Sequence, residues 1–156
     1  MIWVCRTGKS SCFIDYYIET SKIYLPWEGF HFDLSPYSSM EEFRAIVAKE
    51  MNTDNRTSIS NWAGQLRCFC IDMQKGDYVL LPHKNCKSYA CAKIIDDYNF
   101  AEKNEKELYH SRKVELIGAL HKDMLSQSMQ YTLRAYRTVF RVKNEEEIIN
   151  ALKQNR

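Results

Sequence analysis

The chain predicts an α+β domain built on a curved, mostly antiparallel sheet or small barrel flanked by helices. Candidate strands outnumber candidate helices, helices interrupt the strands after the first third, and short strands alternate with turn signals. Residues 2–6 read as a short buried strand, followed by the polar turn of residues 7–11. Residues 23–27 are the next strand candidate, with Glu28-Gly29 turning the chain at its end. Ser39-Met40-Glu41-Glu42 is a capping-box pattern that starts a helix over 40–51, with Phe43, Ile46 and Val47 on one side.

The clearest helix follows. Ile59, Trp62, Ala63, Leu66, Phe69, Cys70 and Met73 recur at helical spacing as a single apolar stripe. Gly76 ends it, since glycine accepts the left-handed turn that closes a helix. Strands are predicted over 78–81, 89–95, 113–117 and 138–142, with the charged run 102–107 a solvated connection. Asn144 caps a final helix over 144–154, whose early acids, together with Lys153 and Arg156 near its end, suit the helix dipole. No linker, repeat or composition break divides the chain, so 1–156 reads as one domain, with a core over 2–142 and a C-terminal helix.

At 156 residues the domain buries a sizeable core without a staple. A net charge of +2 leaves any polyanion argument to local clustering. No stretch reaches the roughly 18 apolar residues of a membrane span, and residues 1–6 lack a signal-peptide pattern. The expectation is a soluble, cytoplasmic protein. Six cysteines show no C-x-x-C spacing, so reduced, partly buried thiols are expected rather than a zinc site.

His31, His83, His110 and His121 are scattered, the glycines never cluster into a phosphate loop, and no nucleophile elbow is present. Asp15, Asp96 and Asp97 read as turn caps. The expectation is therefore a binding module with no metal, cofactor or catalytic residues. Binding features are richer. Residues 124–144 hold Arg134, Arg137, Arg141 and Lys143 and no acid; residues 78–95 hold Lys84, Lys87 and Lys93, again without an acid; Arg6 and Lys9 flank a small turn. Such runs read either as solvated surface or as a basic side for phosphates. Trp3 reads as core, Trp27 as an aromatic projecting beside Gly29. Trp62 reads as stripe packing or, with Asn61, Gly64 and Gln65 around it, as a pocket wall.

Trp3-Val4-x-Arg6-x-Gly8-Lys9, Asn61-Trp62-Ala63-Gly64-Gln65-Leu66 and Met73-x-x-Gly76-Asp77-x-Val79-x-Leu81-Pro82, taken in order, resemble the N-terminal domain of Mrr-type restriction endonucleases. That domain is similar to the EVE and YTH modules of the PUA-like superfamily, and the likeness spans about residues 2–142. It implies a PUA-like fold that reads a modified base in DNA by base flipping into an aromatic pocket, as the sensor part of a restriction system. In that reading Trp62 stacks, Trp27 is the second cage aromatic, Asn61 and Gln65 bond the base edge, and Arg6 and Lys9 close the pocket. Lys84, Lys87, Arg134 and Arg137 meet phosphates, and any nuclease activity belongs to a separate domain or partner. The alternatives are an RNA-binding module of the same fold and a small metal-dependent nuclease.

Overall fold

The computed structural model describes residues 1–155; Arg156, expected near the end of the last helix, lies outside them. The elements in order are β1 (Ile2–Cys5), α1 (Ile14–Thr20), β2 (Lys22–Tyr24), α2 (Met40–Glu50), α3 (Arg56–Arg67), β3 (Tyr78–Pro82), β4 (Ser88–Ile94), β5 (Asn99–Phe100), β6 (His110–His121), α4 (Gln127–Leu133), β7 (Val139–Arg141) and α5 (Glu145–Gln154). The sheet runs β2-β6-β4-β3-β1-β7, with β5 also on β6. Only the β1–β3 pairing is parallel among the described residues. The result is an α+β fold on a curled, mostly antiparallel half-barrel sheet flanked by five helices.

Both faces of the sheet are covered, which is why its central strands read as continuous apolar runs. The side-chain period of two splits each strand between two cores. Trp3, Val79, Leu81, Ala90, Ala92 and Ile94 pack with Phe43, Val47, Ala63 and Leu66 from α2 and α3. Ile2, Val4, Leu80, Tyr89 and Cys91 pack with Met129, Leu133, Ile148 and Ala151 from α4 and α5. The curl brings the two edges of the sheet together. The Cys5 thiol lies 3.6 Å from the Tyr24 carbonyl, and Trp27, just past β2, donates from Nε1 to Thr138 Oγ1, just before β7, at 3.0 Å.

The capping box is present: Ser39 Oγ accepts from the Glu42 amide at 3.1 Å, and Glu42 accepts from the Ser39 amide. The predicted stripe helix begins earlier, at Arg56, capped by Asn55, and passes into a π-helical turn, Cys68–Asp72. Buried Arg112 closes that turn by donating to the carbonyls of Phe69, Met73 and Asp96. Several expectations are corrected. β2 stops at Tyr24, so Trp27 belongs to a loop, and β6 runs over twelve residues by absorbing a bulge opposite Cys91 and Ala92. Asn144 adopts a left-handed conformation and makes no side-chain cap. Instead Glu145 accepts from the Ile2 amide, fixing α5 to the start of β1. The helices α1 and α4 were not expected from the sequence.

Candidate nucleic-acid interface

Strand register gathers the predicted cations at one end of the sheet. Parallel β1 and β3 place Val4 beside Leu80, so both strands finish together. At that same end β7 enters with Val139 beside Cys5, β4 enters with Tyr89 beside Pro82, and β6 leaves with His121 beside Ser88. The connections there carry Arg6, Lys9, Lys84, Lys87, Lys122, Arg134 and Arg137. Among the described residues none of these seven lies within ion-pair distance of a carboxylate. At the opposite end Lys75 faces Asp97 at 3.7 Å and Lys113 faces Asp96 at 4.0 Å. Unpaired cations at one pole leave a field that attracts polyanions.

Two turns at this end are strained. Ser10 and Ser11, then Asn85 and Cys86, all have positive φ, a costly conformation for residues other than glycine. Ser11 Oγ donates to the Pro82 carbonyl at 2.9 Å and joins them, leaving Lys9, Lys84 and Lys87 exposed. Arg6 lies between these turns and the segment before β7. Its guanidinium donates to the carbonyls of Ala135 (2.9 Å), Arg137 (3.0 Å) and Leu133 (3.5 Å) and reaches Cys86 Sγ at 3.8 Å. Arg6 is thus committed to the backbone and does not close a pocket. Burial, with Cys86 beside it, pushes the Tyr89 phenol up to about 12, against the pull of Arg6 and Arg134.

The tryptophans meet on the same side. Trp27 and Trp62 are both half-buried and touch edge to face, ring centroids 4.5 Å apart and planes inclined by 64°. Two walls enclosing a base would stand about 7 Å apart, twice the ~3.5 Å contact distance of carbon atoms. Trp27 therefore buttresses Trp62 instead of facing it across a cage, correcting that expectation. Gln65 is corrected too. It is buried, and its Oε1 accepts from the amides of Thr138 (2.9 Å) and Val139 (3.1 Å), so no base edge can reach it. Its Nε2 donates to Asn61 Oδ1 at 3.5 Å, and Asn61 is exposed with its own amide nitrogen free. Gly64 has no atom within 4 Å of where a Cβ would lie, so it opens toward space.

Two clefts indent the molecule elsewhere. One of about 550 Å³ is lined by Cys70, Gln74, Tyr98 and Arg112 among others, and one of about 110 Å³ lies between β6 and α5. Neither is lined by a tryptophan. Chemistry at the cysteines is muted: burial pushes the thiols of Cys5, Cys70 and Cys91 up to about 12 and that of Cys68 up to about 11, so they stay protonated. Among the described residues no three histidine, cysteine or acidic side chains gather to hold a metal ion. Nor is any described helix long and apolar enough to cross a membrane.

What sequence reasoning missed is Thr138, which takes the Trp27 indole on its hydroxyl and Gln65 on its amide. Its threonine identity carries no signal by itself, because both partners are remote in the chain.

No curated protein matches the chain. Among solved structures it is distantly similar to Rpa0253 from Rhodopseudomonas palustris, determined by NMR, at 15% identity over 97% of this chain and 90% of that one, with a TM-score of 0.44. A family model described as "Domain of unknown function (DUF8426)" matches residues 3–143, which takes in every strand of the sheet except the first residue of β1. The chain belongs to the DUF8426 family.

Proposed function

We propose that this chain is a PUA-like nucleic-acid-binding module that reads a modified base in DNA, as the sensor part of a modification-dependent restriction system. One observation carries the reading: a half-buried tryptophan pair stands at the pole where the described cations lack carboxylate partners. Phosphates meet Lys9, Lys84, Lys87, Arg134 and Arg137, which position the strand without reading sequence. A base turned out of its stack recovers the lost contact on the exposed part of Trp62, held in orientation by Trp27. The free amide of Asn61, one residue from that ring, addresses the base edge. No group in this arrangement is a nucleophile or general base, so cleavage belongs to a partner or a further domain.

The test is fluorescence anisotropy at low salt with short duplexes identical except for one modified base, alongside an RNA of the same sequence. Binding that discriminates between duplexes, with no cleavage in magnesium or manganese, is the expected result. Preference for RNA would transfer the site to that polymer. Absence of binding to every probe overturns the reading.

A further inference from the structure

Tyr131 and Tyr136 are the most exposed large apolar side chains among the described residues, at 83% and 102%. Both lie within residues 124–144, a run that holds Arg134, Arg137, Arg141 and Lys143 and no acid of its own. Arg134 and Arg137, on either side of Tyr136, have no carboxylate within ion-pair distance among the described residues, whereas Arg141 pairs with Glu145. Tyr131 stands on α4, and Tyr136 on the loop of residues 134–138 that leads into β7.

That loop is short of freedom. Arg6 holds the carbonyls of Ala135 and Arg137 from one side. Gln65 holds the amides of Thr138 and Val139 from the other, and Thr138 Oγ1 receives the Trp27 indole. The held backbone fixes where this fully exposed ring is presented, which lowers the cost of ordering the loop around a partner. Tyr136 is two residues from Thr138, at most about 7 Å of chain. Thr138 in turn receives the Trp27 indole, and Trp27 touches Trp62, so direct contacts join the loop to the tryptophan pair.

We infer that the 134–138 loop is a second stacking element, in which Tyr136 receives a further unpaired base of the strand that reaches Trp62 while Arg134 and Arg137 meet the adjoining phosphates. The inference rests on the nucleic-acid reading above and adds the strand it requires: one with a further unpaired base besides the recognised one. A tyrosine suits this because its face stacks on any base while its hydroxyl keeps the ring soluble when empty. The flanking arginines supply the backbone contact without choosing a sequence.

The experiment uses the full chain with fluorescein-labelled oligothymidylate and oligouridylate, read by anisotropy at low salt. Tyr136→Ala weakens binding roughly 5- to 150-fold, the effect of losing one base stack. Tyr136→Phe binds as the parent does, and both variants keep the parent melting temperature, since the ring packs on nothing. The probe that suffers the larger loss identifies the polymer. A parent that binds these probes while Tyr136→Ala binds them equally overturns this inference and leaves the Trp62 reading standing. A parent that binds neither these strands nor any duplex overturns both.

Discussion

Trp62 occupies two environments at once. It packs against Trp27 and the core beneath α3, while part of the side chain stays exposed to solvent. A wholly buried tryptophan truncated to alanine costs about 3–5 kcal/mol of stability. Trp62→Ala should cost less, while removing about 1–3 kcal/mol of binding through the lost base stack. Melting curves and titrations with modified and plain duplex separate the two effects. A folded variant that still discriminates as the parent does would dismiss Trp62 as the reader. At this scale the sequence disclosed identities better than relationships. The helical stripe and the neighbouring amide at Asn61 were legible, because both are local in the chain. The commitment of Gln65 to the Thr138 and Val139 amides was not, because an exposed and a buried glutamine look alike until the segment opposite is known. Arg6 was misread as a pocket residue for the same reason: its acceptors are carbonyls supplied by a loop far along the chain.

At the scale of elements, local signals succeeded where side chains act on their own backbone. Ser39 and Glu42 cap α2 within a single turn, so their spacing was enough. The helix α1, Ile-Asp-Tyr-Tyr-Ile-Glu-Thr, escaped notice because it is short, rich in aromatic and β-branched residues, and starts at Phe13 without a side-chain cap. The helix α4 has a good cap at Ser126, but its seven residues were absorbed into the basic run. The strand β6 contains the clearest pH-sensitive joint. His110 is buried, with Nε2 2.6 Å from the Phe30 carbonyl and Nδ1 2.6 Å from the Tyr98 hydroxyl. This suits a neutral ring that donates from Nε2 and accepts at Nδ1. Burial lowers its pKa, against the Phe30 carbonyl and Asp33, which favour the charged ring. The folded protein then binds fewer protons here than the unfolded chain. Its stabilising contribution is complete above the ordinary histidine value of about 6.5 and declines as pH falls below it. Melting temperature should therefore drop between about pH 7 and pH 5, and His110→Gln should flatten that slope; an unchanged slope in the variant would assign it to other groups.

For the whole molecule the governing property is the separation of charge. A net charge of +2 conceals an end where seven cations have no carboxylate within reach and an opposite end where lysines face aspartates. Composition could not show this, because strand register alone decides which connections share an end. Binding driven from that end should weaken as salt rises. Removing Lys84, Arg134 or Arg137 singly should reduce the slope of log affinity against log salt by about one. Modified and plain DNA should lose affinity alike, since phosphate contacts carry no base information. Titrations over a range of salt concentrations check this, and an affinity indifferent to salt would refute the electrostatic assignment.

The place of β1 has a consequence for how the molecule comes into being. This strand is made before every other strand of the sheet, yet its neighbours are β3 and β7, the last strand of the sheet. Its apolar side chains must therefore wait, unpaired, until β3 is made, and its other edge stays open until β7 follows. Pairings so remote in sequence favour slow folding and leave strand edges open to other chains in the interval. The same topology couples assembly of the cationic end to synthesis of the last strand of the sheet, because the loop before β7 belongs to that end. A nascent fragment ending before residue 138 would carry Trp62 and Trp27 without the hydroxyl that receives the Trp27 indole.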